Sequence, residues 1–170
     1  MAAAAAALAM GVDREAVREG LRSFAGVPHR LEPVAAIGEV RFVNDSKATN
    51  VASATVGIRA FEGGVLAILG GSEKDEPFTP LIDPIRERAS GCYLIGATSE
   101  RMARELAPVV EAGVELHRCD GLEDAVRKAA AGAEPGEVVL LSPACASFDA
   151  FDNFEQRGDR FREIVRGLKR

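Results

Sequence analysis

The feature that most constrains the fold is a recurrence of short apolar runs, VLAILGG from Val65, CYLIGA from Cys92 and EVVLLSP from Glu137, accompanied by the alternating strand-like VELHRC from Val114. Runs of this length and composition suit strands covered on both faces, and such strands need helices to cover them. The stretches between them, around Leu81 to Ala89, Ser99 to Ala107 and Leu122 to Ala131, carry helical periodicity. This βαβ rhythm predicts an α/β fold, a Rossmann-like, mostly parallel sheet flanked by helices. A last helix is expected over roughly Asp159 to Leu168.

Upstream, Val51, Thr55 and Ile58 put one face of a helix inward before the Gly63-Gly64 break. Leu31 to Val43 is strand-like on both sides of Gly38, which predicts a hairpin between LEPVAAI and VRFVN. The opening MAAAAAALAMG has no Lys or Arg before its apolar run and leads into a charged amphipathic pattern, unlike a secretory signal. Asp13 is suited to cap a second short helix with Val17, Leu21 and Phe24 on one face, stopping at Gly26 and Pro28, and GVPHR then reads as a linker. An alanine-rich helix that begins at residue 1 without a cap is the expected remnant of a longer, preceding unit.

Composition narrows the functions. A net charge of −5 with one Tyr and no Trp lacks the basic stripe and stacking rings of a nucleic-acid surface. No segment approaches the roughly 20 apolar residues of a membrane span. Cys92, Cys119 and Cys145 show no C-x-x-C spacing and His29 and His117 lie far apart, so neither a disulfide framework nor a zinc site is signalled, and a reducing cytoplasm fits.

In open α/β sheets ligands sit beyond the carboxyl ends of the strands, which singles out three loops. In NDSKATN, Asp45 or Ser46 can cap the following helix, and helix amides together with Lys47 attract an anion; the loop also reads as a plain polar turn. GGSEKDE lets a backbone approach a ligand and projects Lys74, which by itself reads more often as a solvated loop lysine. The strings G-x-x-x-x-G-K-[ST] and G-x-G-x-x-G are absent. SPACASFD offers free amides and the Ser147 hydroxyl, although small residues also simply pack; Cys145 there suits a buried structural thiol better than a nucleophile. Phe148, Phe151 and Phe154, at helical spacing, read mainly as core. His29 and Arg30 read as a solvated linker pair or, for Arg30, as a phosphate contact.

In order, PHR, NDSKATN, GG-x-x-K and SPACASFD-x-F-x-NFE-x-RGD-x-F resemble the Mur ligase family, in its D-glutamate-adding branch, over essentially the whole chain. The resemblance implies that residues 1–28 are the terminal helices of a truncated central ATP-binding domain and residues 29–170 the carboxy-terminal D-glutamate-binding domain. It implies an ATP-dependent ligase of peptidoglycan synthesis. ATP would phosphorylate the carboxylate of UDP-N-acetylmuramoyl-L-alanine, and the amine of D-glutamate would attack the acyl phosphate. Carried over by position, Arg30 and Asp45 hold ATP, and Lys47 faces the reaction. Thr49, Lys74 and Ser147, with the amides of Phe148 and Phe154, hold D-glutamate. Magnesium would be held mainly by the missing central domain, with no metal ligand here. Asp75 and Pro77 depart from the family pattern, and Asp75 stands where it could neutralise Lys74 or tilt it away. The chain alone is expected to be inactive, with a non-catalytic amino-acid or nucleotide binding module as the alternative.

Overall fold

A computed structural model describes residues 2–168, so the outermost residues of the expected 1–28 and 29–170 units lie outside the described residues. Six strands form one sheet: β1 (Glu32–Ile37), β2 (Val40–Asn44), β3 (Val65–Gly70), β4 (Ala89–Ile95), β5 (Glu115–Arg118) and β6 (Val138–Leu141). Their order is β1-β2-β6-β3-β4-β5. Only the β1–β2 hairpin is antiparallel, turning at Gly38 as expected; the other pairings are parallel.

Each central strand is buried along its length, yet its side chains still sort by a period of two. Ala67, Leu69 and Leu140 pack with Ala54 and Ile58 of α3 (Val51–Arg59), Ile85 of α4 (Ile82–Arg88) and Met102 of α5 (Ser99–Glu105). Leu66, Ile68 and Val139 face Ala125 and Ala129 of α6 (Leu122–Gly132) and Phe161 and Ile164 of α7 (Phe154–Leu168). The result is a three-layer α/β sandwich, the mostly parallel Rossmann-like architecture expected.

Several boundaries differ from expectation for local reasons. β4 begins at Ala89 and takes the end of the expected Leu81–Ala89 helix. α5 stops at Glu105, and the chain continues as a 3-10 helix, Ala107–Ala112, with Pro108 unable to extend the α ladder. α7 starts at Phe154, not Asp159, because Asn153 Oδ1 accepts from Gln156 N–H (2.7 Å) while Gln156 Oε1 accepts from Asp152 N–H (2.7 Å), a reciprocal cap. α3 is capped by Asn50, whose Oδ1 accepts from Ser53 N–H (2.8 Å), rather than by Asp45 or Ser46. Phe148 is not core: it is 74% exposed, because the chain turns back on Ser147 O, which accepts from the amides of Ala150 and Phe151.

At the amino end, α1 (Ala2–Ala9) and α2 (Arg14–Ser23) bury none of their residues. Asp13 caps α2 as expected, its carboxylate accepting from Glu15 and Ala16. Leu21 and Phe24 are nevertheless exposed. Among the described residues no helix is long and apolar enough to cross a membrane.

Candidate functional site

Strand order assembles the site. β6 lies between β2 and β3, so the loops that leave their carboxyl ends, NDSKATN, SPACASFD and GGSEKDE, emerge side by side where the order of strands reverses. Backbone bonds knit them: Asp45 N–H donates to Leu141 O (2.8 Å), Gly70 N–H to Pro143 O (2.8 Å) and Ser72 N–H to Ala146 O (2.9 Å). Three non-glycine residues here have positive φ: His29 (61°), Leu31 (44°) and Ala144 (61°). Such conformations cost about 1–3 kcal/mol each and persist where surroundings over-determine them, which suits a built site better than a plain turn.

Asp45 is 5% exposed. Its Oδ1 accepts from Leu31 N–H (3.2 Å) and its Oδ2 from the Ser142 hydroxyl (2.8 Å). A cleft of about 410 Å³ opens over it, lined by Arg30, Lys47, Ser53, Val56 and Gly57. Burial pushes the Asp45 carboxyl above its ordinary value, while Ser142, the Leu31 amide and the Arg30 charge pull it down. Because the folded value is raised, this group favours the fold fully below its unfolded value, and that contribution is lost as pH rises through the folded value. Asp45→Asn should therefore stabilise the chain more at pH 7 than near pH 4, read as the difference in urea midpoint from the parent at both pH values. An Asn variant less stable at pH 7 than at pH 4, relative to the parent, would contradict this.

Lys47 donates its N–H to His29 O (3.0 Å) and holds its ammonium 4.7 Å from the centre of the Phe154 ring, a cation–π contact. His29 meets the same ring edge-on at 6.0 Å. Buried and bonded to Asn44, His29 is thus not a solvated linker residue, whereas Arg30 beside it is exposed. Thr49 is half-buried, its N–H donating to Lys47 O (2.9 Å). Ser147 is 1% exposed, and its Oγ has no hydrogen-bond partner. An orphaned buried hydroxyl costs about 1–3 kcal/mol, so this one is poised to bond an acceptor that enters the site. Phe154 opens α7, where the first amides have no carbonyl partner within the helix. Cys145 is buried and burial raises its thiol, in keeping with a structural cysteine. The Lys74 ammonium lies 3.4 Å from Glu76 Oε2, so the carboxylate it pairs with is Glu76 and not Asp75.

The residue that joins the loops is one for which the sequence suggested no role. Arg157, 1% exposed, donates from Nε to Ser46 Oγ (3.0 Å), from Nη2 to Ser46 O and Cys145 O (both 3.0 Å) and from Nη1 to Ala146 O (3.2 Å). Ser46 in turn donates its hydroxyl to Phe154 O (2.8 Å). One signal was available: Arg157 falls in register with Phe161, Ile164 and Val165 on the inward face of α7. Among the described residues no group of three or more His, Cys, Asp or Glu side chains could hold a metal ion.

Residues 29–145 match the family model described as Mur ligase, glutamate ligase domain. A curated relative from Myxococcus xanthus, UDP-N-acetylmuramoylalanine--D-glutamate ligase, is 46% identical over 168 residues, covering 99% of this chain and 36% of the relative. The protein of the same name from Salinibacter ruber is 41% identical over 168 residues, again covering 99% of this chain and 36% of the relative. Among solved structures, a pseudomurein peptide ligase type C from Methanothermus fervidus superposes with a TM-score of 0.62 at 18% identity, covering 99% of this chain and 34% of that one, a likeness of fold. The chain thus spans about a third of the length of the curated relatives it matches.

Proposed function

Since the chain belongs to the Mur ligase family, whose members are ATP-dependent ligases, we propose that it is the part of a cytoplasmic UDP-N-acetylmuramoyl-L-alanine:D-glutamate ligase that binds D-glutamate and completes the ATP site. The observation that carries this reading is the convergence of the loops after β2, β6 and β3, with one guanidinium, Arg157, tying the loop of the Asp45 cleft to the loop of the orphaned Ser147 hydroxyl.

A doubly anionic amino acid needs two poles of cations or N–H groups. Lys74 forms one and pairs with one carboxylate. Ser147 Oγ and the amides of Phe148 and Phe154 form the other, and Thr49 lies on the same side. In the cleft, the buried Asp45 carboxylate accepts the ribose hydroxyls of ATP, and the exposed Arg30 guanidinium faces its phosphates. ATP phosphorylates the carboxylate of the UDP-linked alanine, the glutamate amine attacks the acyl phosphate carbon, and phosphate leaves as the amide forms. Lys47, held on the Phe154 ring, supplies fixed positive charge where negative charge builds during transfer. Magnesium suits the oxygens of ATP and side chains outside this chain.

We assign residues 1–28 to the end of a preceding nucleotide-binding domain and residues 29–170 to the glutamate domain. Support comes from α1 and α2, which bury none of their residues, and from the family match, which starts at residue 29.

The test is a chimera in which residues 29–170 replace the matching stretch of the Myxococcus xanthus relative. It should release ADP with D-glutamate and little with L-glutamate. Lys74→Ala and Ser147→Ala should each raise KM for D-glutamate by about tenfold or more. A folded, active chimera indifferent to both substitutions refutes the glutamate assignment. The 170-residue chain by itself should form no ADP; turnover above background would refute the domain assignment. Saturable heat on adding D-glutamate to that chain would mark it as a binding module in its own right.

A further inference from the structure

The loop that carries Lys74 is held by a single guanidinium on a different element. Arg101 of α5 donates from Nη2 to Lys74 O (2.8 Å) and from Nη1 to Glu76 O (3.2 Å). Its Nε lies 3.2 Å from Glu73 Oε2, and its Nη1 3.0 Å from Glu105 Oε1. Its planar face covers the Phe78 ring at 4.2 Å, while Glu105 Oε2 accepts from Phe78 N–H (2.6 Å). Residues 73–78 are therefore fastened to α5 at both ends and in the middle. The fork thus serves two carbonyls and the Glu105 carboxylate through hydrogen bonds and Glu73 through charge alone, a fixed geometry that a lysine ammonium cannot supply.

We infer that Arg101 is a positioning residue for substrate recognition: it fixes the backbone at Lys74 so that the ammonium meets the side-chain carboxylate of the incoming amino acid. The inference rests on the assignment of Lys74 made above. Lys74 is exposed, and its own side-chain partner is Glu76, two residues along the same loop. The pair is 3.4 Å long, makes no hydrogen bond and leaves its lysine end exposed, so it does little to orient a long side chain, and the aim of the ammonium comes from the backbone that Arg101 clamps. Arg101 binds the carbonyls of Lys74 and Glu76 on either side of Asp75, so one guanidinium spans the backbone that carries the ammonium. Position matters here because an error of about 1 Å in a substrate-orienting group can cost about 100-fold in rate.

Two measurements test this. In the 170-residue chain, Arg101→Ala should speed hydrogen exchange at the Glu76 and Phe78 amides by about tenfold or more, leaving β3 and α7 amides unchanged. In the chimera, Arg101→Ala should raise KM for D-glutamate by about tenfold, with kcat and KM for ATP within about twofold of the parent. Arg101→Lys, which keeps the charge beside Glu105 without the fork, should fall between and guards against a folding defect. Unchanged loop exchange overturns the inference, as does a loosened loop with unchanged KM for D-glutamate while Lys74→Ala raises it. If Lys74→Ala leaves KM unchanged, the assignment of Lys74 itself fails, and the inference falls with it for that separate reason.

Discussion

Arg157→Met should lower the unfolding free energy by about 3 kcal/mol and abolish turnover of the chimera, the largest combined loss expected of any single substitution in the site. The guanidinium bonds four acceptors: Ser46 Oγ, Ser46 O, Cys145 O and Ala146 O. Methionine fills similar volume but takes the donor from Ser46 Oγ, Ser46 O and Cys145 O, while Ala146 O keeps Ser72 N–H, and each buried orphan costs about 1–3 kcal/mol. Part of that loss is recovered because the cation no longer has to be desolvated. Burial weighs on the fold enough to lower the guanidinium pKa to about 10, still far above neutrality. A net loss near 3 kcal/mol is a large share of the 5–15 kcal/mol by which domains are stable. Turnover fails for a geometric reason, because the same guanidinium ties the loop carrying Asp45 and Lys47 to the loop carrying Ser147. Arg157→Lys keeps the charge but not the fork and should recover stability more than activity. An unchanged urea midpoint for Arg157→Met would refute the account.

What the sequence made legible, and what it left hidden, follows the range of the interactions. The strands and most helices are written in local periodicity, so the α/β class and the three loops at the strand ends could be read directly. The adjacency of those loops could not, because it depends on β6 inserting between β2 and β3, which pairs Val138 with both Arg41 and Val65, far away in sequence. Capping was read a few residues too early within NDSKATN for a similar reason. NDSKATN holds several residues able to cap α3, and long-range partners take two of them: Ser142 and Leu31 claim Asp45, while Arg157 and Phe154 claim Ser46. Only Asn50 remains to do the local job. Phe148 shows the converse, since its spacing with Phe151 and Phe154 suggested a helix face, but the turn around Ser147 O breaks the helix before Phe154. Arg157 was hidden because a charged residue on an inward helix face reads as an exception to a pattern until its acceptors, all on other loops, are known.

Gly57→Ala sets two general rules against each other and lets the site decide between them. Gly57 lies inside α3, where alanine is ordinarily favoured by about 1 kcal/mol. A β-carbon there, however, would stand 2.5 Å from Asp45 Oδ2 and 2.6 Å from Ser142 Oγ. Neither atom is the free end of a flexible chain, since the two are bonded to each other at 2.8 Å and both residues are buried. Forcing a methyl group into such packing costs about 1–3 kcal/mol, so the helical gain should be cancelled or reversed. The functional loss should exceed the stability loss. The methyl group displaces the carboxylate at the floor of the cleft and should raise KM for ATP in the chimera by about tenfold or more, leaving KM for D-glutamate within about twofold. Val110→Ala, exposed on the 3-10 helix Ala107–Ala112 and outside the cleft lining, should change neither KM by more than about twofold and serves as the control. A Gly57→Ala protein that is more stable than the parent and binds ATP as well would show that Asp45 yields freely to the methyl group. The rigid carboxylate on which the nucleotide assignment depends would then be lost, whatever becomes of the glutamate pole.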